Sequence, residues 1–584
     1  MNASTDPSAL FLPATLQEVQ ARGWQGLDVI LVTGDAYIDS PYIGAAVIGR
    51  VLLAAGLRVG IIAQPDVGCI DDITRLGEPA LFWGVTAGSV DSLVANRTSL
   101  GKPRKTDDLT PGGRNDRRPD RAVIVYSNLI RRHFKQTRPI VLGGIEASLR
   151  RISHYDAWSD KVRRSILFDA KADILVYGMG EQSVLELAEA LRRQTPITAI
   201  RGICYASAHI PPAGDAFPAP DVELPDHAQA AADPQAFSRM FNLFYSHTDP
   251  VTARRCIQRQ DTRYLIHNPP QLPLDTAALD RVYELPYTCD VHPLCAGRGA
   301  VKALETIRFA LTTHRGCYGE CRFCAIAVHQ GRRVVSRSQD SLLREAARMT
   351  RHPVFKGIIA DVGGPTANMY GFECRRKQTQ GACADKSCLF PATCPQLPVN
   401  HQKQIDLLQA LRRLPGVRKV FVGSGVRHDL ILADRRRGRA YLRTLLQHHA
   451  SGQLKIAPEH IQPEVLALMG KPGRRTLEAF LALFQEVQHE CAGRVFLTYY
   501  FMAAHPGCSS ADMKALRRFA QRKLHLLPEQ VQIFTPTPGT FSSLMYFAEA
   551  DPFSGAAIFV EKTVAGKKQQ KDAVCASPKG RRKR

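Results

Sequence analysis

The sequence predicts an α/β protein: an N-terminal Rossmann-like, doubly wound domain followed by a partial (β/α)6 barrel. Three observations carry that expectation. Two series of short apolar runs alternate with helical segments, a proline-rich stretch separates them, and a tight cysteine group follows the first strand of the second series. The chain has 584 residues, 45% hydrophobic and 22% charged, which leaves room for three or four domains or subdomains. Wholesale disorder, a collagen-like rod and a small disulfide scaffold are excluded.

The first domain is expected over residues 1–205. Residues 27–33 are a β-rich run ending in Gly34 and Asp35. Residues 45–55 carry small and apolar side chains at helical spacing, Gly56 is a C-cap, and residues 59–63 are a second strand. That is a βαβ unit, because parallel strands require such a crossover. Further strands are expected at 80–85, 122–126, 139–143 and 173–177. Residues 97–120 are polar and carry Gly and Pro, so they read as a surface loop over the carboxyl ends of the strands.

Residues 206–298 read as a connecting region with a short helix at 234–244, because Pro211, Pro212, Pro218, Pro220, Pro225, Pro269, Pro270 and Pro273 interrupt any pattern. The barrel is expected over 299–550. Its strands are 307–313, 357–362, 419–423, 454–457, 495–501 and 530–534, and helices at 339–351, 403–413, 430–449, 476–490 and 510–524 lie between them. Right-handed crossovers of this kind curl toward a barrel whose chemistry sits at the carboxyl ends of the strands. Residues 551–584 read as a basic tail. From Glu561 onward it has nine basic and two acidic residues, and it is read as solvated, with nucleic-acid contact as the sharper alternative.

The most apolar stretch, 43–63, is broken by Arg50 and Arg58, so no membrane association is expected. No basic residue precedes Arg22, an export signal is not expected, and the expected compartment is cytoplasmic. Fifteen cysteines there read as thiols or metal ligands rather than disulfides. The net charge of +23 has two readings, attraction to a polyanion or an arginine-rich composition.

The strongest signal is Cys317-Tyr-Gly-Glu-Cys321-Arg-Phe-Cys324. Short loops of cysteine thiolates hold iron–sulfur clusters, and three thiolates leave one iron of a [4Fe-4S] cluster open. Gly316 and Gly319 let the loop curl, and Arg315 and Arg322 are expected to favour thiolate over thiol. A zinc site would need His314 or His329 to complete it.

A C-x3-C-x-aromatic-C motif after a first barrel strand resembles the radical SAM superfamily signature. The resemblance implies that the open iron binds the amino and carboxylate groups of S-adenosyl-L-methionine. It also implies reductive cleavage to a 5′-deoxyadenosyl radical that abstracts hydrogen from a substrate. Phe323 matches the aromatic position near the adenine. Gly363 and Gly364 end the second strand where that family binds the methionine amino group, although Pro365 stands where an acid is common. Ser424 and Arg427 end the third strand and are candidates for ribose or carboxylate contact. An electron donor such as flavodoxin or ferredoxin is the implied partner.

The stretches Val32–Tyr37, Gly60–Asp66, Gly143–Arg150, His154–Ser165, Tyr177–Glu181 and Asp361–Met369 are similar to the YgiQ family of radical SAM proteins, over about residues 12–565. The N-terminal half of that family is similar to a cobalamin-binding domain. The lower-ligand motif Asp-x-His-x-x-Gly appears here as Asp39-Ser-Pro-Tyr-Ile-Gly44, with proline at the histidine position, so the resemblance implies base-off cobalamin or none, and bound cobalamin is not expected.

Cys374, Cys383, Cys388 and Cys394, spaced C-x8-C-x4-C-x5-C, form a candidate second metal site, for zinc or a second cluster. Glu459, His460 and His505 follow strand ends and are candidates for proton transfer. Glu146, Arg150 and Arg151 are candidates to face a cleft. The leading expectation is a radical SAM enzyme acting on a substrate that includes RNA among its candidates. The alternative is an iron–sulfur redox sensor that binds nucleic acid without turnover.

Overall fold

The computed structural model describes residues 7–212 and 214–575. Its described residues fall into two compact units, one running up to Arg308 and the other starting at Phe309.

The first unit is built on a nine-stranded sheet. Strands Val59–Ala63, Val29–Thr33, Phe82–Thr86, Ile140–Leu142 and Ile174–Val176 lie side by side in that order, all parallel. Their residues are almost entirely apolar because helices cover both faces. Helix Gly44–Ala54 follows the first strand and buries Ala46, Val47, Val51 and Leu52. The order reverses between Val29–Thr33 and Phe82–Thr86, which makes this the switch point of a doubly wound fold. There the 97–120 loop crosses the strand ends, as expected. Its Arg118 is buried and pairs with Asp35 at 2.6 Å and Asp107 at 3.1 Å.

Two expectations for this unit are corrected. Residues 122–126 are not a strand but the start of helix Ala122–His133. Their β-branched run suggests extended backbone, yet Ala122, Val123, Tyr126 and Ile130 form one buried helical stripe. The 206–298 region is not a loose connector. Strands Ile203–Ser207, Arg263–His267, Cys256–Gln260 and Val222–Leu224 continue the same sheet, joined antiparallel up to Cys256–Gln260, with Val222–Leu224 parallel to it at the edge. Helices His227–Ala232, Pro234–Ser246 and Thr276–Glu284 lie in the same stretch. Prolines stand at the turns and, as Pro234, at a helix start, where they cost no hydrogen bond.

In the second unit six short parallel segments succeed one another in chain order. Ala310–Thr312 pairs with Asp361–Gly363, and Ile358–Ile359 with Lys419–Val420. Val426 bridges Ile456, Gln453–Glu459 pairs with Phe496–Ala503, and the latter with Gln532–Ile533. The first and sixth segments do not pair among the described residues, so the arrangement is an open (β/α)6 succession and not a closed barrel. Helices Gln339–Met349, Gln402–Arg413 and Arg474–His489 fill the crossovers with one apolar stripe each. The long helix expected over 430–449 is two helices, His428–Ala433 and Gly438–Thr444, followed by a π turn. A Cβ on Gly438 would lie 1.9 Å from the Ile431 carbonyl, so only glycine allows the helices to meet so closely.

Helix Val564–Val574 lies in the stretch read as a solvated tail and buries Lys567, Gln570 and Val574. The remainder of that basic run, 576–584, lies outside the described residues.

Candidate active site

The three cysteines occupy a loop pinched at its base. His314–Arg315 pairs antiparallel with Val335–Ser336, directly beyond the first barrel strand. Gly316 has φ +82°, and a Cβ there would lie 1.9 Å from the Arg333 carbonyl, so the pinch requires glycine. The Cys317 N–H donates to the Gly331 carbonyl, and the Cys324 N–H to the Cys321 carbonyl. The loop is thereby folded so that its thiols face one another.

Gly319 shows the space between them. A Cβ there would stand 3.2 Å from Cys317 Sγ, 3.8 Å from Cys321 Sγ and 3.1 Å from Arg427 Nη1. Its own N–H donates to Cys317 Sγ at 3.4 Å. Burial pushes the Cys324 thiol up to about 12, with Cys321 and Cys317 adding to the rise. Burial and the neighbouring Cys321 raise the Cys317 thiol as well. Three mutually coupled thiols around a glycine cradle suit a cluster that takes each thiolate on a different iron. Among the described residues no three His, Cys, Asp or Glu gather around a single point as one zinc ion demands.

The cation beside the thiols is not Arg322. Its guanidinium donates to the Ala467 carbonyl at 3.0 Å and stacks on Phe553 at 3.9 Å. That place belongs to Arg427, whose Nη1 lies 3.5 Å from Cys321 Sγ. Its Nε donates to Asp429 at 2.8 Å, so the fork expected to clasp a carboxylate is held by one within the chain. Burial disfavours charge on Asp429, but Arg427 outweighs it and holds that carboxyl at about 2.

The other expected residues fall at the strand ends. A Cβ on Gly364 would lie 2.6 Å from the imidazole of His314, so that buried ring packs flat against the glycine. Gly363 lies beside Ser424, whose hydroxyl donates to Asp361, as does the Ser424 N–H at 3.1 Å. Phe323 meets the edge of His505 at 6.2 Å. His505 donates from Nδ1 to the Pro506 carbonyl and accepts from Ser542, and burial holds it neutral at about 3. His460 is buried, held at about 4, and its Nε2 lies 3.7 Å from Cys508 Sγ. Glu459 has φ +67° and stands 4.0 Å from the buried Lys471. Asp429 and Lys471 were not anticipated, while His314, named only as a possible zinc ligand, and Asp361, named only within a family-like stretch, take these other roles. Asp429 was findable as an acid two residues from Arg427, whereas Lys471 carries no local signal.

Of the second cysteine group, Cys374 and Cys388 lie in the same buried cluster as Cys317. Cys374 is buried among Tyr318, Phe372 and Leu389. Cys388 takes a contact from Lys377 Nζ at 3.5 Å and Cys383 one from Arg376 at 3.7 Å. This loop packs against the cluster loop. Tyr318 is fully buried against Phe372 and under Lys377, whose ammonium pairs with Glu373 at 3.1 Å.

In the first unit, Glu146, Arg150 and Arg151 are spent internally. Glu146 accepts from the Ser92 N–H at 2.8 Å, Arg150 pairs with Asp91, and Arg151 stacks on Tyr177 and Phe244. All three are buried, and Glu146 and Arg150 line a small cavity together with Arg121, His154 and Asp169, as expected of residues facing a cleft, whereas Arg151 does not. Asp39 pairs with Arg50 and accepts from the Thr288 N–H.

Comparison with known proteins places this geometry. The family model described as Radical SAM N-terminal matches residues 11–310. A UPF0313 protein of Fusobacterium nucleatum subsp. nucleatum is 50% identical over 98% of this chain and 100% of its own length. A UPF0313 protein of Thermotoga petrophila is 48% identical, again over 98% of this chain and 100% of its own. The solved structure of the cobalamin-dependent S-adenosylmethionine radical enzyme OxsB, with aqua-cobalamin bound, shares the fold. Its TM-score is 0.50 at 14% identity, covering 91% of this chain and 57% of that one. That likeness corrects the expectation that cobalamin is absent. The same architecture holds cobalamin in OxsB, and Pro41 at the histidine position is no ground for excluding the cofactor. With half its residues identical to full-length relatives and the radical SAM N-terminal domain matched, this chain belongs to the UPF0313 family of radical SAM enzymes.

Proposed function

We propose that this enzyme binds a [4Fe-4S] cluster through Cys317, Cys321 and Cys324 and uses it to cleave S-adenosyl-L-methionine reductively. The observation that carries the reading is the convergence of the thiols on one tight loop: Cys317 Sγ and Cys321 Sγ both lie within 4 Å of one point beside Gly319, and Arg427 Nη1 stands 3.5 Å from Cys321 Sγ. Such a cluster supplies an electron and an open iron position when bound.

The chain's own residues supply position and charge. Gly316 and Gly319 fold the loop, and the Gly319 N–H donates to a sulfur, which stabilises thiolate over thiol. Arg427, clamped by Asp429, places one guanidinium N–H at Cys321 and offsets the negative charge of a thiolate set. Gly363 and Gly364 keep the backbone at the second strand end bare of side chains. Phe323 offers an aromatic ring packed edge-to-face with His505. Tyr318, Lys377 and the cysteine-rich loop cover the thiols from behind and limit water there.

The test is anaerobic reconstitution followed by a 5′-deoxyadenosine assay with dithionite, run in parallel with and without hydroxocobalamin. Deoxyadenosine formed by the wild type and lost in Cys321→Ala supports the reading. A reconstituted cluster that never cleaves S-adenosyl-L-methionine, with or without added RNA, favours a redox sensor.

A further inference from the structure

Helix Ser510–Phe519 and the π turn Ala520–Leu524 that extends it carry Lys514, Arg517, Arg518, Arg522 and Lys523. Met513, Leu516, Phe519 and Ala520 are buried, which turns Lys514, Arg518, Arg522 and Lys523 outward, and all four are exposed. Lys514, Arg518 and Arg522 recur every four residues and so share one face. Helix Val564–Val574 packs alongside and adds the exposed Lys568. The first helix has one carboxylate, Asp512, and it is spent on the Ser509 cap and on Gln462.

Among the described residues none of these five exposed cations forms an ion pair, although surface arginines elsewhere do. Arg439 holds Glu486 and Glu490, Arg192 and Arg193 hold Glu189, and Arg474 holds Glu478. Like charges four apart also weaken a helix, so the stripe carries a standing cost.

We propose that this stripe is a docking surface for RNA, engaged through its phosphates. A polyanion of regular charge spacing relieves the mutual repulsion of the cations, and association then releases counterions. A membrane fits less well, because a surface-binding helix inserts an apolar face, and here that face is buried in the protein. The inference goes beyond the radical SAM reading and does not rest on it, since binding through these residues needs neither cluster nor turnover.

The test is fluorescence anisotropy with a labelled 20-nucleotide oligouridylate and the full chain, titrated across salt concentrations. K514E/R518E/R522E is expected to bind at least tenfold more weakly. The alanine triple variant is expected to lower the slope of log affinity against log salt by about 2, from about 0.7 per lost contact. A charge-matched control, R192E/R193E/R474E, is expected to bind within about threefold of wild type. Basal deoxyadenosine formation without RNA is expected to be the same in all of these proteins, which separates this claim from the assignment of the cluster. Equal weakening in the control, unchanged affinity in both stripe variants, or wild-type binding to phosphatidylserine vesicles but not to RNA would each overturn the proposal.

Discussion

Arg427 reaches the Cys321 sulfur with Nη1 at 3.5 Å while Asp429 takes its Nε at 2.8 Å. Both side chains are buried, so the pair is a fixed charge set beside the thiols and not a mobile surface contact. Breaking such a pair leaves one charge without a partner in a poor solvent. Asp429→Asn is therefore expected to lower the unfolding free energy by about 3 kcal/mol. It should also lower deoxyadenosine formation roughly tenfold, because Arg427 is then free to swing from Cys321. Urea denaturation and the cleavage assay check both. Unchanged stability would mean that the pair is not formed.

Gly319→Ala probes the cradle itself. The added methyl would stand 3.2 Å from Cys317 Sγ and 3.1 Å from Arg427 Nη1. It is expected to cut retained iron by more than half after desalting, while the far-ultraviolet circular dichroism stays that of the wild type. Full iron loading would show that the thiols leave more room than the structure gives them.

The glycine at the end of the second strand gives a separate, structural prediction. Gly364→Ala drives a Cβ to 2.6 Å from the His314 ring, which is walled in. Overpacking of this kind costs about 1–3 kcal/mol. Thermal denaturation should show the loss, and the same variant carrying His314→Ala should recover part of it.

Acid should weaken this protein through its histidines. Burial holds His314, His428 and His460 at about 4 and His505 at about 3, below the ordinary value near 6.5. Between those limits the unfolded chain binds protons that the folded chain refuses, so stability falls as pH drops from about 6.5 toward 4. The slope is about 1.4 kcal/mol per pH unit for each histidine fully in that window. Urea midpoints from pH 7 to 4.5 should fall accordingly, and a flat profile would contradict the burial of these rings.

The sequence made the alternation of strands and helices visible because each parallel strand is buried on both faces and each helix on one. That is why the runs at 29–33, 59–63 and 140–142 stand out. It failed at 122–126, where Val123, Ile124 and Val125 favour strand and only the wider stripe through Tyr126 and Ile130 shows a helix. It also failed over 206–298, where proline suggested a linker but the chain adds antiparallel strands to the sheet edge. At the site, the cysteine spacing was legible because the ligands are local. The partners of Arg322 and Arg427 were not, since Phe553, Asp429 and Cys321 are brought to them only by folding.

Counting iron and sulfide after anaerobic reconstitution, with 5′-deoxyadenosine measured on the same sample, tests the central claim most directly. The account predicts about four irons and four sulfides per chain, the number in one [4Fe-4S] cluster, together with deoxyadenosine that depends on dithionite. Cys321→Ala should lose the iron and the cleavage, whereas Cys388→Ala should keep both, since the proposed cluster is held by Cys317, Cys321 and Cys324 alone. Zinc in place of iron, or full iron and cleavage in Cys321→Ala, would contradict the account.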